Sequence, residues 1–167
     1  MIDLALACVA KELDAYLQAN ADTGPGQVVL ARLVDDNGHW AIPDDSVGLM
    51  LVNVQPERAR KAPAATGPLE IGGQAESGPA MHLSLSVLFA AQSREYHAAL
   101  EHLSHVLTFF TARPIFMRGQ HPALGDGIEM VEVSPEPLDY EQLDHIWSFV
   151  GGRQVPSIVY RVRVTGA

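Results

Sequence analysis

Seven histidines in a chain of 167 residues are the first place to look for chemistry, and His97, His102 and His105 share one predicted helix. Imidazole and carboxylate together are the ligand set of a zinc site. On a helical wheel His105 lies on the polar face, His97 to one side of it and His102 nearer the opposite flank, so the three do not converge on one ion. Glu101 and His105 are four apart and can pair, but two adjacent ligands without a third hold a metal weakly. There is no HExxH, and a single cysteine, Cys8, excludes a thiolate zinc site. The spacing favours histidines on a solvated helix face. Glu141 and His145 repeat the i,i+4 geometry, where a surface pair is worth a few tenths of a kcal/mol.

Other chemistries fare no better. Cys8 lies among apolar neighbours, which disfavour a thiolate. Gly72-Gly73 and Gly125-x-Gly127 do not open a helix after a strand in a phosphate-binding pattern, and no GxSxG is present. Asp35-Asp36 and Asp44-Asp45 sit in turn signals, where carboxylates start turns or stay solvated. The sequence thus points to no catalytic, cofactor-binding or metal-ligating set, and a small metal-dependent enzyme using the helix histidines is the least favoured of its readings.

Bulk properties narrow the field further. The length suits one domain around one core, and 47% hydrophobic residues mark an ordinary globular chain rather than a disordered one. A net charge of −9 argues against nucleic acid, whose binding needs surplus Lys and Arg, and against an anionic membrane surface. It suits a partner with a basic face. One cysteine fits a reducing compartment. The apolar start MIDLALACVAKELDAYL has no basic n-region and breaks at Lys11-Glu12, so it is not read as a signal peptide. No stretch approaches the ~20 apolar residues of a membrane span, and the expected place of folding is the cytoplasm.

The elements that must position any function follow from periodicity. Ile2, Leu6, Val9, Leu13, Tyr16 and Leu17 recur at helical spacing, and the helix ends near Asn20 ahead of Gly24-Pro25-Gly26. Gln27–Val34 reads as a strand closed by the Asp36-Asn37-Gly38 turn, and Val47–Val54 as a strand covered on both faces. From Met81 to Phe89 alternate residues point to opposite faces. A helix then starts near Ser93 as N-cap, with Tyr96, Leu100, Leu103, Leu107 and Phe110 as its core stripe, flanked by Ala99 and Val106; Phe109 falls off that stripe, where it either covers a loop, the favoured reading, or waits for a partner. Pro114 closes this region and Ile128–Val133 is a further strand. Asp139 caps a last helix in a capping box with Gln142; Leu143, Ile146, Trp147 and Val150 form its buried stripe, and Gly151-Gly152 end it. In the final strand Ile158, Tyr160, Val162 and Val164 face one side, and Ser157, Val159, Arg161 and Arg163 the other. The expected fold is α/β (α+β), a single mixed sheet of about five strands flanked by about three helices, in one domain.

Two surface features stand out. Residues 55–79 are rich in Pro, Gly and Ala and carry a basic knot of Arg58, Arg60 and Lys61. Loops beyond about 12–15 residues are uncommon in compact domains. Two readings stay open: a loose surface loop, or an arm that orders against a neighbouring subunit. Arg161 and Arg163 project from one face of the terminal strand. Pairing with Asp or Glu of the same chain is the simpler account; the alternative is a basic stripe meeting an acidic partner. A strand so near the C-terminus could also lie at a sheet edge and accept another chain's strand.

The stretch LSVLFAAQSREYHAALEHLSHVLTFFTARPIF, and HPALGDGIEMVEVSPEPLDYEQLDHIWSFVGGRQVPSIVYRVRV after it, resembles the Pvc-type cap family, tail-terminator proteins of extracellular contractile injection systems. The family pattern of a strand L-x-V-L-F-A-A, a helix ending F-F-x-x-x-P-V-F, a P-x-L loop and a closing L-W-x-x-L-G-x-x-Y-x-P-S-v-x-Y-k-v-R is matched at Leu85–Ala91, Phe109–Phe116, Pro122–Leu124 and Ile146–Arg163. Two departures matter: Gln154-Val155 replace the usual aromatic before Pro-Ser, and Val150 replaces a common Leu. The chain stops after the last strand, so a cap without the further C-terminal domain of some relatives is expected. The resemblance implies a non-enzymatic structural protein forming a hexameric ring that closes the baseplate-distal end of a phage-tail-like particle, meets inner tube and sheath, and sets tail length. It would assemble in the cytoplasm and leave with the particle. Arg58, Arg60, Lys61, Arg161 and Arg163 are the residues expected at subunit, tube or sheath contacts, on their surface position rather than on the family match. A baseplate or adaptor protein of a related machine is the alternative.

Overall fold

The computed structural model describes residues 1–20, 27–57 and 81–166. Helix α1 (Ile2–Asn20) precedes strands β1 (Gln27–Leu30), β2 (Ser46–Glu57) and β3 (His82–Gln92). Helix α2 (Tyr96–Ala112), the short strand β4 (Ile115–Met117), strand β5 (Ile128–Pro135), helix α3 (Tyr140–Val150) and strand β6 (Ser157–Gly166) follow. The strands form one sheet in the order β1-β2-β3-β6-β5-β4. Only β1 and β2 run parallel; every other pair is antiparallel. The fold is therefore the expected mixed α+β sheet, with six strands among the described residues where about five are expected. The added strand, β4, is three residues long, too short for alternation to reveal it.

The sheet buries its first face under α1 and α2. Leu83, Leu85, Val87 and Phe89 of β3 and Tyr160, Val162 and Val164 of β6 meet Leu6, Val9, Leu13 and Leu17 of α1 there. The second face carries a smaller core in which Leu88 and Ala90 of β3 and Val159 of β6 pack on Ile146 and Trp147 of α3. Trp147 meets Trp40 edge to face at 6.4 Å. Asp139 and Gln142 form the anticipated capping box, and Gly151 closes α3 in the left-handed region at φ 78°, its N–H donating to Trp147 O.

Strand β1 is shorter than the apolar run suggested. After Leu30 the chain turns so that Leu33 and Val34 fill the second core, and only an isolated bridge joins Val34 to Trp40. The Asp35 carboxylate accepts from Asn37 and His39 N–H, each at 2.9 Å, which closes the intervening turn. Strand β2 is buried from Ser46 to Leu49, but its far half, Asn53–Glu57, is exposed.

Helix α2 is rotated from its expected setting. Its buried residues are Ala99, His102, Val106, Phe109 and Phe110, whereas Tyr96, Leu100 and Leu107 are 68%, 41% and 40% exposed. The apolar arc spans about half the wheel, so either half could face the sheet. The half with the aromatic pair goes in because those rings find partners: Phe110 lies 4.8 Å from Tyr160 and 5.3 Å from Phe89, and Phe109 lies 5.2 Å from Tyr16. Rings bury more surface than leucines and gain from edge and tilted contacts. Phe109 is thus a core residue rather than a loop cover. The N-cap is Glu95, not Ser93; Ser93 Oγ accepts from Glu95 N–H and binds Asp45, tying the turn before α2 to the start of β2.

Close packing of the second core is sharpest at Gly48. A Cβ there would run into Leu33 and would sit 2.9 Å from Ile42 Cδ1. Gly48→Ala should lower stability by about 1–3 kcal/mol through overpacking. A urea titration giving a midpoint equal to wild type would show that this core yields without cost.

Candidate functional site

Because α3 and the segment around Leu33–Ile42 cover only one end of the second sheet face, the other end presents side chains to solvent. Register defines what stands there. Arg161 lies opposite Ser86 on one side and Ser134 on the other; Arg163 lies opposite Ser84 and Glu132. Beyond β3, Asn53 and Gln55 of β2 continue the two rows.

Both arginines are paired within the chain. Arg161 Nη2 donates to Glu136 Oε1 at 2.8 Å, and this carboxylate pushes the guanidinium pKa still further up. Arg163 Nε reaches Glu57 Oε1 at 3.4 Å and its Nη1 reaches Glu132 Oε2 at 3.6 Å. The first of these contacts crosses β3 entirely, and the short side chain of Ser84 leaves that path open. Three glutamates therefore face two arginines, so the face is a charge network rather than a basic stripe. The Arg163 pairs are exposed on both sides, which limits each to about 0–1 kcal/mol, whereas Glu136 is only 16% exposed.

The terminal strand is not an edge. β6 is hydrogen-bonded to β3 and to β5 along most of its length, and strand addition to it is ruled out by those pairings. Nearness to the C-terminus says nothing of place in a sheet whose order departs from chain order. Among the described residues the edges are β1 and β4, and β2 has no strand beside it past Leu49, where β1 ends. That stretch of β2 is ill suited to receive a strand. Its register shifts between Leu51 and Asn53, Asn53 Oδ1 accepts from Val54 N–H at 2.9 Å, and Pro56 has no N–H to offer.

The other expected contact residues, Arg58, Arg60 and Lys61, lie outside the described residues; they follow directly on Glu57, at the end of β2 that carries the Arg163 contact.

The helix histidines occupy three different surroundings. His97 pairs with Glu101 at 3.2 Å, the pairing expected of His105. His105 instead lies edge-on to Tyr16 at 6.2 Å. His102 is only 2% exposed, which corrects its placement on a solvated face, and its Nδ1 has no hydrogen-bond partner among the described residues. No group of three or more His, Cys, Asp or Glu is arranged to hold a metal among those residues. Cys8 is buried, and burial raises its thiol pKa. One pairing had no signal in the sequence: His121 Nδ1 lies 3.3 Å from Glu12 Oε1, joining α1 to the turn after β4.

The fold and this surface define an α+β domain whose exposed sheet face is organised by cross-strand ion pairs. The chain belongs to the family described as the Pvc16 N-terminal domain, whose model matches residues 6–166. Among solved structures it is similar to the sheath/tube terminator of an extracellular contractile injection system, PVC, in its extended state. That similarity has 18% identity over 97% of this chain and 56% of that one, with a TM-score of 0.51. It also matches the tube-terminating cap of the anti-feeding prophage at 15% identity over 95% of this chain and 54% of that one, with a TM-score of 0.49. The chain spans about half the length of each of these proteins. Among curated proteins none matches it in sequence. Of the two departures from the family pattern, Val150 and Val155 both pack on the second core.

Burial of His102 has a consequence for stability. Desolvation, with His105 adding to it, lowers the imidazole pKa, while Asp45 and Glu101 oppose the shift. Below about pH 6.5 the unfolded chain binds a proton that the folded chain resists, so this contribution is intact above that pH and is lost as pH falls. His102→Leu should flatten the fall in melting temperature between about pH 7.5 and 5. An unchanged slope would assign the acid sensitivity to other groups.

Proposed function

We propose that this chain is a structural terminator domain of a contractile injection system, closing the end of tube and sheath as a ring of copies, six by resemblance to the family. The family match over residues 6–166 carries this reading. The likeness of fold to a sheath/tube terminator supports it. We read the role as mechanical rather than catalytic, in keeping with helix histidines that sit in separate surroundings, one of them buried.

In this reading Arg161 and Arg163 contribute to contacts with tube or sheath, and Arg58, Arg60 and Lys61 to contacts with a neighbouring subunit or sheath. Exposed ion pairs of low net worth are exchangeable: a partner carboxylate can replace Glu57 or Glu132 at small cost. The particle forms in the cytoplasm, and this domain leaves with it.

The test is tail length. Particles assembled without the chain should show long or uneven tails in negative-stain images, and tails of normal, uniform length would overturn the assignment. Arg161→Ala with Arg163→Ala should weaken capping while leaving the far-UV spectrum of the isolated domain unchanged. Normal tails with the double variant would remove these two residues from the contact and leave the terminator reading in place.

A further inference from the structure

We propose that the outward face of α2 is the surface through which this chain binds a second copy of itself. Tyr96, Leu100, Leu103 and Leu107 follow the four-three-four spacing of a helix–helix seam. Sequence periodicity marks them as core, yet the sheet takes the other half of the helix and leaves three of them 40% or more exposed. The first three line a groove of about 410 Å³ whose other wall is the Gln154–Ser157 segment.

Two observations say what covers this face. From His102 to Ala112 the helix contains no Asp, Glu, Lys or Arg, although such residues make up 19% of the chain. Interface centres are depleted in charge in the same way. The hydroxyls of this stretch are already satisfied: Ser104 donates to Leu100 O at 2.8 Å, Thr108 to Ser104 O at 2.9 Å and Thr111 to Leu107 O at 2.7 Å. These hydroxyls can be dehydrated without being left as stranded donors.

The charge of the chain then selects the occupant. At −9, two copies repel one another over most of their surface, and the uncharged His102–Ala112 stretch is where they can approach without that cost. A basic partner would be drawn instead to the acidic surroundings. The inference rests on the ring of the proposed function for its setting, but its test is made in solution.

Sedimentation of the purified chain should show concentration-dependent association above its 18.0 kDa mass. Leu100→Glu with Leu107→Glu should hold it at that mass with an unchanged far-UV spectrum. Thr108→Arg, at an exposed position that leaves the core untouched, should weaken association at least about tenfold by burying an unpaired charge. A wild-type chain that stays monomeric at every concentration, or a Thr108→Arg chain that associates like wild type, would overturn the proposal. So would a photo-crosslinker at position 107 that, in assembled particles, joins only tube or sheath protein and never a second copy. Normal tails in the absence of the chain would sink the terminator reading and leave the self-association result standing.

Discussion

The pairing of β3 with β6 is the constraint from which the rest of the structure follows. These two strands occupy the middle of the sheet and run antiparallel from His82–Thr165 to Ala90–Ser157. Apolar side chains at alternate positions of both strands, Leu83 to Phe89 and Tyr160 to Val164, require a deep first core, which α1 and α2 supply. Leu88, Ala90 and Val159 require a second cover at one end, which α3 and Trp147 supply. A one-residue slip would turn every one of these side chains to the wrong face, so the register is strongly determined.

That register also places the charges. With Val159 held under α3, Arg161 and Arg163 must emerge on the same face one and two steps beyond the cover, opposite Ser86 and Ser84. The small serines allow Arg163 to reach across a whole strand to Glu57 while also touching Glu132. The network couples β2, β6 and β5 through pairs that stay partly exposed, so each adds little net stability. A similar economy governs α2, where the aromatic pair takes the interior and the leucine seam is left outside.

Much of this was legible in the residues. Alternation along Met81–Phe89 and Ile158–Val164, the capping box at Asp139 and the stop at Gly151 predict the elements and faces that the structure has, because each depends on neighbours a few positions away. The family pattern, carried by short motifs in a fixed order, is likewise local in sequence. Other features were ambiguous for a physical reason. An apolar arc half a wheel wide does not say which half is buried, so the rotation of α2 and the burial of His102 and Phe109 went unread. A three-residue edge strand such as β4 has no period to detect.

By itself, then, the sequence determined the mixed α+β class, the inward and outward sides of each long strand, the ends of α3 and the family. Only the tertiary structure decided that the last strand is interior, that Arg161 and Arg163 are answered by Glu136, Glu57 and Glu132, and that the leucines of α2 face solvent. Periodicity reports which side of an element is apolar. Strand order, cross-sheet charge pairs and the choice between two apolar half-faces depend on residues far apart in the chain, and those are settled by which contacts bury the most surface when the whole chain packs at once.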